Sequence, residues 1–151
     1  MIFIVVFTTK LFYFETDFYS CMKSPIISVI DDDPQFQYIT NRMIDRVLEG
    51  HRILQFSDGF QAIKFMRSNI STPSNLPQLI FLDINMPNLS GWQFIEQLSL
   101  ILSEDYLPVI YMVSSSTDKE DIDRATTYEK LKGYLVKPLT IPELKRIFDE
   151  L

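Results

Sequence analysis

Five short apolar runs, each followed by a segment of helical period, leave this chain very few folds to choose from. Residues 26–30, 52–56, 78–82, 109–113 and 133–136 read as strands. Between and after them lie helical patterns. The first, 34–49, sets Phe36, Ile39, Met43 and Val47 on one face, and the second, 59–67, carries Phe60, Ile63, Phe65 and Met66. Residues 92–102, a more polar stretch from 118 to about 128, and 142–151 complete the helices. Strands that are apolar throughout need cover on both faces, and strand–helix repeats supply it as a parallel sheet between two helical layers. The predicted fold is therefore α/β: a doubly wound, flavodoxin-like sheet of five parallel strands with helices on both faces. A length of 151 residues suits one such domain.

Charge and composition narrow the functional classes. The net charge is −6 and the chain has no Lys/Arg cluster, which argues against a nucleic-acid surface, since phosphate backbones are bound by neutralising cations. Cys21, the single cysteine, fits a reducing compartment. Residues 1–21 differ from the rest of the chain, with seven Phe and Tyr residues and no Gly, Ala or Pro. They lack the basic start and small-residue cleavage site of a signal peptide, and Lys10, Glu15 and Asp17 interrupt any membrane span. Two readings stay open for this atypical aromatic extension: an added strand or hairpin, or a stretch upstream of a true start at Met22, non-native and disordered. The second is the expectation.

In doubly wound sheets, ligands sit beyond the carboxyl ends of the strands. Here the first strand delivers Asp31, Asp32 and Asp33, the third Asp83, the fourth Ser114, Ser115 and Ser116, and the fifth Lys137 and Pro138. Singly, each has a plain structural reading. Asp33 before Pro34 is an N-cap with proline at the first helical position; Asp31 and Asp32 suit a turn, and Lys137 a solvated surface. Together they do not reduce to that. Carboxylates about 4 Å apart repel by roughly 4 kcal/mol at an effective dielectric near 20, so several at one sheet edge need a cation. Oxygen ligands without His or Cys favour Mg²⁺. Asp83, at the mouth of a buried strand, is a nucleophile on a rigid support. Lys137 supplies a point charge near it, and the Ser114 hydroxyl can donate to a phosphoryl oxygen. This set suits a phosphoryl acceptor, where positioning and charge stabilisation make up most of the catalysis.

From Lys23 to Leu151 the chain resembles the receiver domains of two-component response regulators, especially stand-alone, chemotaxis-type ones. The resemblance rests on Ile30-Asp31-Asp32-Asp33-Pro34, on Leu82-Asp83-Ile84-Asn85-Met86-Pro87 with Gly91, on Met112-Val113-Ser114-Ser115, and on Gly133-Tyr134-Leu135-Val136-Lys137-Pro138. It implies a receiver domain over residues 22–151 in which Asp83 accepts phosphate. Asp32 and Asp83 would bind Mg²⁺ directly, Asp31 through water, and Asn85 through its backbone carbonyl. Ser114 and Tyr134 look like the switch pair, Lys137 would pair with phosphoryl oxygens, and the Lys137–Pro138 bond is expected to be cis. Ser114 stands where Thr is commoner and Ser115 where Ala or Gly is frequent, two departures that bear on switching strength and phosphate lifetime.

The resemblance further implies a cytoplasmic signalling protein that catalyses only its own phosphorylation and dephosphorylation. A sensor histidine kinase or phosphotransfer protein would stand upstream. Downstream, an unknown target protein would read the fourth helix, fifth strand and last helix, including Tyr134; no attached output domain, nucleic acid or membrane is expected. One alternative is a degenerate receiver acting as a docking module, although its acidic pocket and lysine would then be expected to decay. Another is a haloacid-dehalogenase-like phosphatase, suggested by Asp31-x-Asp33, but Gln35 stands where Thr or Val belongs. A flavodoxin would need a phosphate loop where Asp31 to Asp33 stand. His51 is expected in a loop, Trp92 packed on the sheet, and Lys119, Glu120, Asp121, Asp123 and Arg124 on a solvated helix face.

Overall fold

Apolar strands separated by capped helices give this chain its layers. The computed structural model describes residues 24–151, so the expectation for residues 1–21 lies outside the described residues. The strands are β1 (Ile26–Ile30), β2 (Arg52–Phe56), β3 (Leu79–Asp83), β4 (Val109–Ser114) and β5 (Gly133–Val136). The helices are α1 (Pro34–Val47), α2 (Gly59–Asn69), α3 (Gly91–Ser99), α4 (Lys119–Thr127) and α5 (Ile141–Asp149), with a 3-10 turn at Pro73–Asn75. All strand pairs are parallel and the order is β2-β1-β3-β4-β5, the doubly wound sheet that the pattern predicts.

Alternation along the strands divides the core in two. Ile27, Leu79, Phe81, Tyr111 and Val113 face the layer of α1 and α5, where Ile44, Leu144 and Ile147 meet them. On the other side, Ile30, Ile80, Leu82, Ile110 and Met112 pack with Ala62, Ile63 and Met66 of α2, Phe94, Ile95 and Leu98 of α3 and Ala125 of α4. The register places Val29 beside Phe81 and Phe81 beside Tyr111, so each layer is continuous across the central strands. β1 and β3 are buried throughout, which explains their near-uninterrupted apolar sequences.

The helix starts are set by their caps. Asp33 caps α1 by accepting from the Gln35 amide at 2.8 Å, with Pro34 at the first position, as its sequence predicts. Ser90 with Gln93 and Thr140 with Glu143 form capping boxes on α3 and α5.

Three expectations need correction. Ile39 is 53% exposed, whereas Thr40 and Ile44 of α1 are fully buried. The core-facing stripe runs through buried Thr40 and Ile44 with half-buried Phe36, Met43 and Val47 beside them, and Ile39 lies about 100° around the helix from Thr40. Hydrophobicity favours Ile over Thr, but the packing geometry chooses Thr. α3 stops at Ser99 rather than 102, because the chain there turns into tight bonds from the Leu100 and Ile101 amides to Gln97 and Leu98. Arg124 is not merely solvated: its guanidinium lies 4.0 Å from the centroid of the Trp92 ring, which Tyr128 meets edge-on, tying α4 to α3. The expected packing of Trp92 and the loop position of His51 both hold.

The corrected face of α1 makes a direct test. Ile44→Ala should cost about 2–5 kcal/mol of unfolding free energy, as buried Ile truncations do, while Ile39→Ala should stay within about 0.5 kcal/mol. Urea unfolding of the two variants checks the assignment; equal losses would place the buried stripe wrongly.

Candidate functional site

Strand order reverses between β1 and β3, and the crevice beyond their carboxyl ends is where a doubly wound sheet holds a ligand. Asp31 comes directly after β1 and is 1% exposed. Its amide donates to the Phe56 carbonyl at 3.0 Å, and its Oδ1 accepts from the Asp33 amide at 2.9 Å. Gln37 adds a brace from the first turns of α1. Its Nε2 donates to the Asp31 carbonyl at 2.6 Å and to the Phe56 carbonyl at 2.8 Å, joining the ends of β1 and β2. Asp32 is exposed to solvent beside them.

Asp83 is itself the last residue of β3, one place further into the strand than the sequence pattern suggests, and is 5% exposed. Beyond it Ile84, Met86 and Leu89 bury themselves under the sheet edge while Asn85, Pro87 and Asn88 stay outside. The turn is closed by the Gly91 amide donating to the Ile84 carbonyl at 2.9 Å. Asn88 takes a φ of 65°, a conformation Asn tolerates, and its Nδ2 approaches Asp58 Oδ2 at 3.4 Å. Gly91 is required for a simpler reason: a Cβ there would collide with the carbonyl oxygen of Asp83.

From the other side come β4 and β5. Ser114 is fully buried; its Oγ accepts from the Ser116 amide at 3.1 Å, and its carbonyl accepts from the Lys137 amide at 2.9 Å. Tyr134 is half-buried against the α2–α3–α4 core, and its hydroxyl donates to the Ser116 carbonyl at 2.8 Å. Ser114 and Tyr134 are thus linked through Ser116. Lys137 precedes a cis peptide bond to Pro138, and its Nζ lies 2.6 Å from Asp31 Oδ2 and 3.1 Å from Asp83 Oδ1.

The sequence-predicted groups therefore meet: Asp31, Asp32 and Asp83 each present a carboxylate oxygen within 4.8 Å of the others, with one ammonium among them. Fully ionised, this set carries two uncompensated negative charges. Burial pushes the Asp83 carboxyl above the usual range; Lys137 pulls it down, and the charge of Asp31 adds to the rise. Burial does the same to Asp31 against the Lys137 hydrogen bond. For Lys137, burial opposes the charge, but the hydrogen bond it donates to Asp31 and the charges of Asp31 and Asp83 prevail and hold the ammonium above the ordinary lysine range. Asp31 Oδ2 is buried and meets the Lys137 ammonium at 2.6 Å, with no second donor beside it among the described residues. Unspent lone pairs, hard oxygen donors and a net charge of about −2 fit a small divalent cation.

Sequence reading missed Gln37, Asp58 and Asn88 as parts of this site. Asn88 carried a weak signal, being an Asn in a turn two residues before Ser90-Gly91. Gln37 carried none, because a helical Gln is ordinary and its two acceptors come from different strands.

The chain as a whole is similar to known proteins. The family description "Response regulator receiver domain" matches residues 27–149. Among curated relatives, the probable methanogenesis regulatory protein FilR2 of Methanothrix harundinacea is 27% identical over 126 residues, covering 83% of this chain and 80% of FilR2. Two-component response regulator ARR2 of Arabidopsis thaliana is 30% identical over 122 residues, covering 81% of this chain but 17% of its own length, so the chain spans under a fifth of that relative. A two component response regulator from Cytophaga hutchinsonii superposes with a TM-score of 0.76 at 25% identity, covering 85% of this chain and 96% of that one.

Two substitutions test the geometry. Gly91→Ala should destabilise the fold by about 1–3 kcal/mol or more, since the carbonyl it meets belongs to the site strand and has nowhere to move. Asp83→Asn should stabilise the cation-free protein at pH 7 by removing a buried, repelled charge. The raised Asp83 pKa also sets the sign of the pH dependence. A carboxyl whose folded pKa is raised takes up its proton in the folded state first, so stability rises as pH falls from neutrality through that raised pKa towards 3.8. That rise should be smaller in Asp83→Asn, with Asp31 left to supply the remainder. Chemical denaturation at pH 7 and near pH 5 in chelator measures both; a variant less stable than wild type at pH 7 would contradict the charge balance.

Proposed function

The chain belongs to the response regulator receiver domain family, and from that membership we propose that it is a phospho-acceptor switch in which Asp83 takes a phosphoryl group from a sensor histidine kinase or phosphotransfer protein. The observation that carries this reading is the meeting of Asp83 with Lys137 at 3.1 Å in the β1/β3 crevice, beside the carboxylates of Asp31 and Asp32. An Asp83 oxygen forms the new bond to phosphorus as the donor's nitrogen–phosphorus bond breaks, and the imidazole nitrogen leaves with the bonding pair. Lys137 supplies a fixed positive charge for the phosphoryl oxygens, and Ser114 a hydroxyl proton at the end of β4. Asp32 and Asp83, with the Asn85 carbonyl and Asp31 through water, would hold Mg²⁺. Bound there, Mg²⁺ would offset the carboxylate charge and draw in the phosphoryl oxygens.

Transfer would replace a carboxylate partner of Lys137 by a bulkier, more negative group. The change would be felt at β5, through the bond from the Lys137 amide to the Ser114 carbonyl, and at Tyr134, through Ser116. The face of α4, β5 and α5 would carry the signal to a target protein. Two other readings have less support. Asp33, the second carboxylate of a dehalogenase-like motif, is occupied as the α1 cap. A docking module without phosphorylation leaves the buried Lys137–Asp31–Asp83 arrangement unexplained. Among the described residues no helix is long and apolar enough to cross a membrane, and a cytoplasmic location is part of the proposal.

Incubation with acetyl phosphate and Mg²⁺, followed by intact mass and site mapping, tests the reading. Asp83 should be the only labelled residue and Asp83→Asn should abolish labelling; persistent labelling at wild-type rate would refute it. Mg²⁺ at about ten times its dissociation constant should stabilise the wild type by about 1.4 kcal/mol. Asp32→Ala should lose that gain, and an undiminished gain would remove Asp32 from the cation site.

A further inference from the structure

Lys137 has a third neighbour besides its two carboxylates. Its Nζ stands 4.4 Å from the centroid of the Phe36 ring, and the lysine side chain is only 17% exposed. An ammonium offers three N–H donors. Two directions are taken by Asp31 and Asp83, and the ring covers another approach, where water would otherwise solvate the charge. A ring face attracts a cation without offering a lone pair that could draw Nζ away from Asp83. A carboxylate in its place would compete, and an aliphatic side chain would exclude water but hold nothing.

The ring is also firmly placed. Phe36 lies in the first turn of α1, between the cap at Asp33 and the brace of Gln37 on the Asp31 and Phe56 carbonyls. It packs against the core layer formed by α1 and α5. The ring is therefore fixed relative to Asp31, and so relative to the pocket that Lys137 must occupy.

We propose that Phe36 is a positioning residue for phosphoryl transfer: its ring holds the Lys137 ammonium at the Asp83 oxygen. This inference rests on the phospho-acceptor reading of Asp83. It assigns a function to a residue whose sequence pattern marked it only as core.

Acetyl phosphate is the suitable donor for the test, because it is a small molecule that needs no protein partner and so isolates the chemistry from partner binding. In the full chain with saturating Mg²⁺, Phe36→Leu should lower the rate constant for Asp83 labelling by about three- to tenfold, the range expected for a partly desolvated cation–ring contact. Phe36→Tyr, which restores the ring, should recover most of that loss, and thermal unfolding of both variants separates the effect from general destabilisation. Should the Leu variant fail to fold, Phe36→Met carries the same comparison. The decisive measurement is the pair with Lys137→Ala: if the ring acts through the lysine, Phe36→Leu should slow labelling no further in that background. Multiplying effects of the two substitutions would overturn the proposal, as would equal slowing by Leu and Tyr or no slowing by either. Absence of Asp83 labelling in the wild type would instead refute the phospho-acceptor reading itself, a result distinct from any of these.

Discussion

Three carboxylates crowded around one ammonium govern the architecture of this protein at the carboxyl edge of its sheet. At an effective dielectric near 20, two carboxylate charges 4.8 Å apart repel by about 3.5 kcal/mol, so Asp31, Asp32 and Asp83 would not settle together on their own account. The sheet forces them together. Asp31 comes after a strand buried along its whole length and Asp83 ends another, and both strands are locked by apolar layers above and below. Stability built into the core is thus partly offset at the crevice, where Lys137 relieves the conflict only in part. A site left short of positive charge is a site ready to take up a cation, and with it an anionic group that a bare carboxylate cluster would repel.

Holding that strained arrangement requires bracing from three directions. Gln37 ties the ends of β1 and β2. Gly91 lets α3 begin directly against the Asp83 carbonyl. Asn88, reaching towards Asp58, fastens the turn after β3 to the start of α2. None of these touches the carboxylate of Asp83, the proposed acceptor. Each fixes a segment of backbone, which is how a nucleophile is positioned without crowding the space its substrate needs.

Much of this was legible in the sequence, and the features that were not share a common cause. Uninterrupted apolar strands and the spacing of helices identified the fold, and the ionisable residues at strand ends identified Asp31, Asp32, Asp83 and Lys137, because one-dimensional order maps directly onto a parallel sheet whose carboxyl ends share an edge. The Asp33 cap was equally local. The failures were tertiary. Ile39 is exposed and its neighbour Thr40 buried because the rotation of α1 is set by the surface it packs against. Gln37 joins the ends of two strands, one of them nineteen residues away in sequence, and nothing in its neighbours marks it. Arg124 stacks on Trp92 across two helices, although its own segment reads as a charged, solvated face. Period and propensity report what a residue does within its element; they are silent on which partner the other element brings.

The same contrast explains why β5 suits the role of transmitting strand. β1 and β3 have no room to respond: every residue in them is buried, and both have strand neighbours on either side. β5 lies at the sheet edge, is four residues long and is only partly buried, so its displacement disturbs fewer packed contacts. It also carries both ends of the proposed signal, Lys137 just beyond its last residue and Tyr134 near its first. Tyr134 reaches back to the Ser116 carbonyl, and Ser116 in turn donates its amide to Ser114. A pull on Lys137 therefore acts on a short edge strand whose aromatic side chain is already tethered to the loop leading into α4. Rigid strands hold Asp83, the proposed acceptor, and the less buried edge strand leads into Lys137. A phosphoryl group spanning the two would exert its electrostatic attraction on the strand with the less packing to hold it.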